Sequence, residues 1–252
     1  MNSSFALVTV RAASTRLPNK CLQNIINDIT AIQVVIRRAK KIGCNVILAT
    51  SVSSSDDPLI KIADSEGIKY FRGSEKNKIK RWADCFLECN INNAILVDGD
   101  DLTFDYNIAK RALKLLKNEK VEFVVSSKEM TPGFFTYGIS SIGMEKLVKT
   151  APNPNIDTDV ITEFIKRANL SRSFVKATND EKSGHNCRLT LDYEEDLMFY
   201  RKVYSRVNYL MPGPEIVKTI LKYNLQRINW HKNEDFINNQ QVFNQNVKEQ
   251  II

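Results

Sequence analysis

The sequence predicts an α/β fold built on a mostly parallel sheet, and three observations carry the prediction. Strand-like and helix-like segments alternate from residue 5 to about residue 118, the order that β-α-β units give. The strand-like segments at 5–10, 45–50 and 94–97 are short, apolar and rich in β-branched residues, as strands buried on both faces are. Charged loops follow the first and last of these, where an open α/β sheet collects its ligands.

The first strand, Phe5 to Val10, runs into Arg11-Ala-Ala-Ser14-Thr15-Arg16-Leu17-Pro18-Asn19-Lys20. Arginine offers a planar fork for phosphate oxygens and lysine a mobile point charge, so Arg11, Arg16 and Lys20 together suit a triphosphate. Thr30-Ala-Ile-Gln33 has the form of a capping box. Ile32, Val35, Ile36 and Ala39 then recur at helical spacing as far as Gly43, predicting a helix over about 30–42. After the second strand, Asp57 is placed to cap and Pro58 to open a helix that ends at Gly67. A short third strand at 69–71, Arg72-Gly-Ser74 and a helix over about 77–89 follow. The cluster Lys76, Lys78, Lys80 and Arg81 reads mostly as a solvated helix face. Cys85 and Cys89 share one face of that helix and read as core.

The fourth strand, Ala94 to Val97, runs into Asp98-Gly99-Asp100-Asp101. Carboxylates this close repel one another unless a cation sits among them, and a hard ion such as magnesium takes oxygen ligands. Beyond lie a helix over 106–118, a strand over 122–126, a turn at 131–133 and an apolar aromatic run, Phe134 to Ile139. Helices are expected over 143–150 and 157–168, the second capped by Asp157 or Thr158. A late strand, Arg188 to Asp192, ends in acid. Glu195 and Asp196 then stand at the positive end of a helix, where capping suits them. Met211-Pro-Gly-Pro-Glu-Ile216 leads into another helix, to about Asn224. His185 and His231 have no partner spacing and read as structural or surface residues.

Nothing resembling a linker divides the 252 residues, so one domain over 1–235 is expected, followed by a loose Asn- and Gln-rich tail over 236–252. No apolar run approaches the ~18 residues a bilayer span needs. With no secretory pattern at the N-terminus, a soluble, cytoplasmic protein without a membrane partner is expected. Five cysteines without a CxxC or a nearby histidine pair indicate neither a disulfide framework nor a zinc site. The net charge of +7 suits an anionic ligand. It would also suit nucleic acid, but the charges are spread along the chain and no nucleic-acid module accompanies them, so no nucleic-acid partner is expected.

The pattern Arg11-x-x-Ser14-x-Arg16-Leu17-Pro18-x-Lys20 resembles the opening signature of the cytidylyltransferases that include CMP-Kdo synthetases and, more closely, the spore-coat-polysaccharide-type enzymes. Those enzymes usually have glycine where this chain has Asn19, a residue that also tolerates a left-handed backbone. The similarity extends to the segment around Arg72-Gly-Ser74 and Arg81, to Gly99-Asp100, and to the strand and helix around Asp192. Relatives follow the first aspartate with Cys-Pro or Glu-Pro, where this chain has Asp101-Leu102; they follow the second with Thr-Pro, where it has Tyr193-Glu194.

The resemblance implies a Rossmann-like nucleotidyltransferase fold, a GT-A-like three-layer sandwich. It implies a homodimeric, Mg²⁺-dependent enzyme that joins CMP from CTP to an acidic sugar or phosphorylated small-molecule acceptor and releases pyrophosphate, in surface polysaccharide or glycoconjugate synthesis. On that basis Arg16, Lys20 and Asp100 are the catalytic candidates. Val10, Arg11, Ser14, Arg16, Lys20, Arg72, Ser74 and Arg81 would contact CTP, and Asp100 and Asp192 would hold the metal. Two other readings remain at this point. Asp98-Gly-Asp100 also fits the D-x-D pattern of nucleotide-sugar glycosyltransferases, although the basic loop suits a departing pyrophosphate better. A basic nucleic-acid-binding or scaffold protein would explain the charge but not the acidic strand ends.

Overall fold

A computed structural model describes residues 3–14, 16–118 and 120–251. The central sheet has seven strands: β1 (Ser4–Thr9), β4 (Asn45–Ser51), β5 (Lys69–Gly73), β6 (Asn93–Asp98), β7 (Phe123–Ser126), β8 (Tyr137–Ser140) and β9 (Arg172–Val175). A small hairpin, β2 (Asn24–Ile26) with β3 (Ile29–Thr30), stands apart from it. The sheet order is β5-β4-β1-β6-β8-β7-β9. All neighbours are parallel except that β8 runs antiparallel to both β6 and β7.

Both faces of the sheet are covered, and β1 shows why. Ala6 and Val8 enter one apolar cluster while Phe5 and Leu7 enter the other, as side chains alternating along a strand must. The first cluster takes its partners from α1 (Ala31–Lys40), α2 (Asp57–Ser65), α4 (Tyr106–Asn118), α7 (Glu194–Tyr204) and α8 (Gly213–Lys222). The second takes them from α3 (Lys78–Glu88), α5 (Ser141–Val148) and α6 (Thr162–Arg167). Helix, sheet and helix make the expected three-layer α/β sandwich, with the carboxyl ends of β1, β4 and β6 at one edge.

Several local expectations hold. Thr30 and Gln33 form the capping box of α1, and Cys85 is buried with Cys89 packed against the same cluster. Asn19 adopts φ 55° and ψ 28°, the left-handed conformation that glycine or asparagine supplies.

Others are corrected. Asp56, not Asp57, is the N-cap residue of α2. The helix expected over 157–168 begins only at Thr162. The preceding segment is instead fastened to α3, with the Thr158 hydroxyl accepting from the Ile79 N–H at 3.1 Å and Asn77 Nδ2 donating to the Ala151 and Asn153 carbonyls. The stretch 188–192 forms no strand; its main-chain link is the Leu191 N–H to the Asp100 carbonyl, 3.0 Å. The aromatic run supplies β8, and β9 is a short sheet strand not expected from its Arg-Ser-Phe-Val sequence. The expected tail is helix α9 (Lys232–Ile251), which contacts α6 and buries Val247 in the second cluster. Among the described residues no helix is long and apolar enough to cross a membrane.

Candidate active site

The loop after β1 is held at both ends. At its start the buried Asp56 carboxylate accepts from the Ala12 N–H at 2.7 Å, from the Thr50 and Ser51 hydroxyls and from the Ser51 N–H. Burial alone would raise this carboxyl, but the hydrogen bonds, led by the Ser51 hydroxyl, hold it below its ordinary value. At the far end the Asn19 turn presents Lys20. Beside the loop, the Gly99 N–H donates to the Thr9 carbonyl at 2.9 Å, and a Cβ on Gly99 would sit 2.8 Å from Val10 Cβ. The glycine lets the acidic turn after β6 press against the basic loop after β1.

The charges meet there. Lys20 Nζ lies 2.7 Å from Asp100 Oδ2 and 2.9 Å from Asp192 Oδ1, and Arg16 Nη2 lies 2.6 Å from Asp192 Oδ1. Burial would lower the Lys20 ammonium, yet Asp100 and Asp192 raise it well above the ordinary lysine value. Burial would likewise raise Asp192, and Lys20 and Arg16 instead hold it well below the usual carboxylate range.

A second layer fixes Asp192. Arg188 Nη2 donates to Asp192 Oδ2 at 3.0 Å and, with Nε, to both oxygens of Asp196 at 2.9 and 3.0 Å. Asp196 also accepts from the Asp192 and Tyr193 N–H groups and from Asn229 Nδ2. Asp196 therefore does more than cap α7, because it holds the arginine that holds Asp192.

These groups line a cavity of about 830 Å³. Val10, Arg11, Ser14, Arg16, Lys20, Arg81, Asp100 and Asp192 all line it, together with Lys78, Trp82, Asp98, Asp101 and Asp159. Arg72 and Ser74, also expected at the nucleotide, do not line it. Arg72 is engaged by Asp57 at 2.8 Å and by the Ser51 and Ser53 carbonyls, and the Ser74 hydroxyl accepts from the Asn77 N–H.

A family model for cytidylyltransferases matches residues 5–203. The chain belongs to the cytidylyltransferase family. It is accordingly a CTP-using nucleotidyltransferase. It is similar to a cytidylyltransferase from Leptospira borgpetersenii with a TM-score of 0.78 at 24% identity, over 89% of this chain and 96% of the other. It is also similar to CMP:2-keto-3-deoxy-manno-octonic acid synthetase complexed with CTP, with a TM-score of 0.60 at 14% identity, over 81% and 99% of the two chains. The uncharacterized protein MJ1063 of Methanocaldococcus jannaschii is 25% identical over 207 residues, 81% of this chain and 84% of its own length.

Oxygens of Asp100 and Asp192 converge on one point, the Lys20 ammonium. Burial and the neighbouring Asp100 push the Asp101 carboxyl well above its ordinary value. An all-oxygen pair of this kind fits Mg²⁺. Among the described residues no group of three or more His, Cys, Asp or Glu side chains could hold a metal unaided; phosphate oxygens and water would have to complete the shell.

Several cavity residues escaped the sequence reading. Lys78 belongs to the cluster read as solvated, yet its side chain is 12% exposed, 3.7 Å from Asp98 and 5.3 Å from the centre of the Trp82 ring. Trp82 Nε1 donates to Thr9 Oγ1 at 2.6 Å. His185 lines the cavity while contacting the Glu129 carbonyl. Arg188 carried a legible signal, a basic residue four before Asp192 and eight before Asp196.

Proposed function

We propose that this cytidylyltransferase uses Mg²⁺ and transfers CMP from CTP to an oxygen of a small anionic acceptor, an acidic sugar or a phosphorylated small molecule, with release of pyrophosphate. The observation that carries the reading is the position of Lys20 between Asp100 and Asp192 beside a loop that also presents Arg16. In-line displacement at the α-phosphorus builds charge on the leaving pyrophosphate, and preorganised cations there stabilise the transition state. Arg16 and Lys20 would exchange their carboxylate partners for β- and γ-phosphate oxygens, with Arg11 and the Ser14 hydroxyl adding contacts.

The Val10 N–H is committed to the Ala49 carbonyl, so of its main-chain groups the carbonyl is the one left to meet the cytosine amine. Arg81 is buried, donates from Nη1 to the Ser74 carbonyl and has a buried Nε without a partner; that donor suits a cytosine acceptor atom. Held by Asp100 and Asp192, Mg²⁺ would neutralise charge on the phosphate oxygens. An anionic acceptor supplies its own nucleophilic oxygen, so the reading calls for no dedicated base. The setting we infer is a cytoplasmic homodimer in surface polysaccharide or glycoconjugate synthesis.

The test is pyrophosphate release from CTP and Mg²⁺ with candidate acceptors, beside binding of UDP-sugars. Release with CTP supports the reading. Tighter binding of a UDP-sugar and sugar transfer without pyrophosphate would replace it with a glycosyltransferase.

A further inference from the structure

We infer that α9 is the acceptor-recognising wall of the cavity, and that Asn233, Phe236 and Gln240 select an acceptor whose non-reacting part is uncharged and hydroxylated; this rests on the cytidylyl-transfer reading. The helix lies outside the segment that carries the family, which ends at residue 203. It nevertheless turns Asn233, Phe236, Ile237, Gln240 and Phe243 to the cavity. Steps of three, one, three and three residues put them on one helix face.

The helix is docked on this cavity. Val247 is 3% exposed in the cluster that contains Trp82 and Ile161, and Phe243 packs against the same cluster. Asn239 Nδ2 donates to the Tyr193 hydroxyl at 3.1 Å. The Phe236 ring centre lies 4.7 Å from Arg188 Cζ, and Arg188 in turn holds Asp192. One end of the wall therefore touches Arg188, which holds the candidate metal ligand Asp192.

Charge divides the cavity. Its arginines and lysines come from residues 11–81 and from Arg188, and α9 adds no charged side chain. An acceptor whose anionic end meets the cations would lay its remaining atoms along α9. Two amides can donate to and accept from hydroxyls, while the ring offers its face to C–H groups. A purely hydrocarbon body would leave both amides unpaired. A second anionic group there would meet no cation from the helix.

The experiment uses the full chain with CTP and Mg²⁺. The acceptors are polyol monophosphates, sugar monophosphates and sugar acids, each beside the alkyl phosphate or alkyl carboxylate of equal chain length. Pyrophosphate release is expected with hydroxylated members and not with their alkyl counterparts. Asn233→Ala and Gln240→Ala should each raise the acceptor KM about 3- to 10-fold, the value of one neutral hydrogen bond, with CTP affinity by calorimetry and Tm unchanged. Alkyl acceptors used equally well, an acceptor KM unmoved in both variants, or CTP binding with no hydroxylated acceptor used would each overturn the assignment to α9. A wild-type protein that binds no CTP would instead sink the cytidylyl-transfer reading itself.

Discussion

Arg188 and Asp196 form a doubly bonded buried pair, Nε to Oδ1 at 2.9 Å and Nη2 to Oδ2 at 3.0 Å, with side chains 1% and 0% exposed. The same guanidinium reaches Asp192, so the pair sets where the candidate metal ligand stands. Removing one partner from a buried ion pair leaves the other charge uncompensated, at about 3–5 kcal/mol. Asp196→Ala should therefore lose about that much stability in urea denaturation and weaken CTP binding through Asp192. A variant that unfolds at the wild-type urea concentration would show that the brace contributes little.

The loop makes a kinetic prediction. Arg16 and Lys20 now bind carboxylates, and in the reaction they would meet growing phosphate charge. Arg16→Ala and Lys20→Ala should each cut kcat by about 30- to 1000-fold, the worth of ~2–4 kcal/mol of transition-state contact, in proteins with wild-type circular dichroism. Near-normal turnover in a folded Arg16→Ala protein would remove that residue from the mechanism.

The sequence exposed the first half of this site because its chemistry is local. Arg11 to Lys20 and Asp98 to Asp101 are contiguous runs at strand ends, and a strand end is where an α/β sheet places its ligands. The second half is tertiary. Asp192 reaches Asp100 through one main-chain bond from Leu191, outside any sheet ladder, and Asn229 reaches Asp196 from beyond α8. The partners of Arg72 were hidden for a related reason: Asp57, the Ser51 carbonyl at the end of β4 and the Ser53 carbonyl beyond it hold its guanidinium. Helix α9 misled by composition, since its long polar face hides the spacing of Phe236, Phe243 and Val247.

Asp192 gives the site a pH signature. Its carboxyl lies well below the usual range, burial being overcome by Lys20 and Arg16. Such a group contributes stability that is present above its unfolded value, about 4, and is lost as pH falls through the lower folded value. Asp192→Asn should thus be less stable than wild type by a constant margin between about pH 5 and 7, and the margin should narrow below about pH 4. The raised Lys20 acts at the other end: its contribution is complete below the unfolded lysine value and is lost only as pH rises through the folded one. Urea denaturation across the acid range checks the sign. A margin that widens on acidification would contradict it.

In its proposed role Arg81 would set stability against nucleotide binding. It is 1% exposed, burial and then the nearby Arg11 push its guanidinium down to about 10, and its hydrogen bond runs from Nη1 to the Ser74 carbonyl. Among the described residues no carboxylate lies within ion-pair distance of it, and its Nε is buried without a partner. A buried charge in this state is costly, and an uncharged side chain of similar length relieves the cost. Arg81→Met should therefore raise the midpoint of urea unfolding of the nucleotide-free protein. The same substitution should weaken CTP binding about 10- to 150-fold, the loss of one hydrogen bond from a charged donor. If the donor meets the pyrimidine rather than the phosphates, wild type should prefer CTP to UTP, and Arg81→Met should narrow that preference while leaving pyrophosphate affinity unchanged. Calorimetry with CTP, UTP and pyrophosphate separates the cases. An equal loss for all three ligands would place Arg81 on the phosphates, and a less stable Arg81→Met protein would show that the unpaired guanidinium is not a cost to the fold.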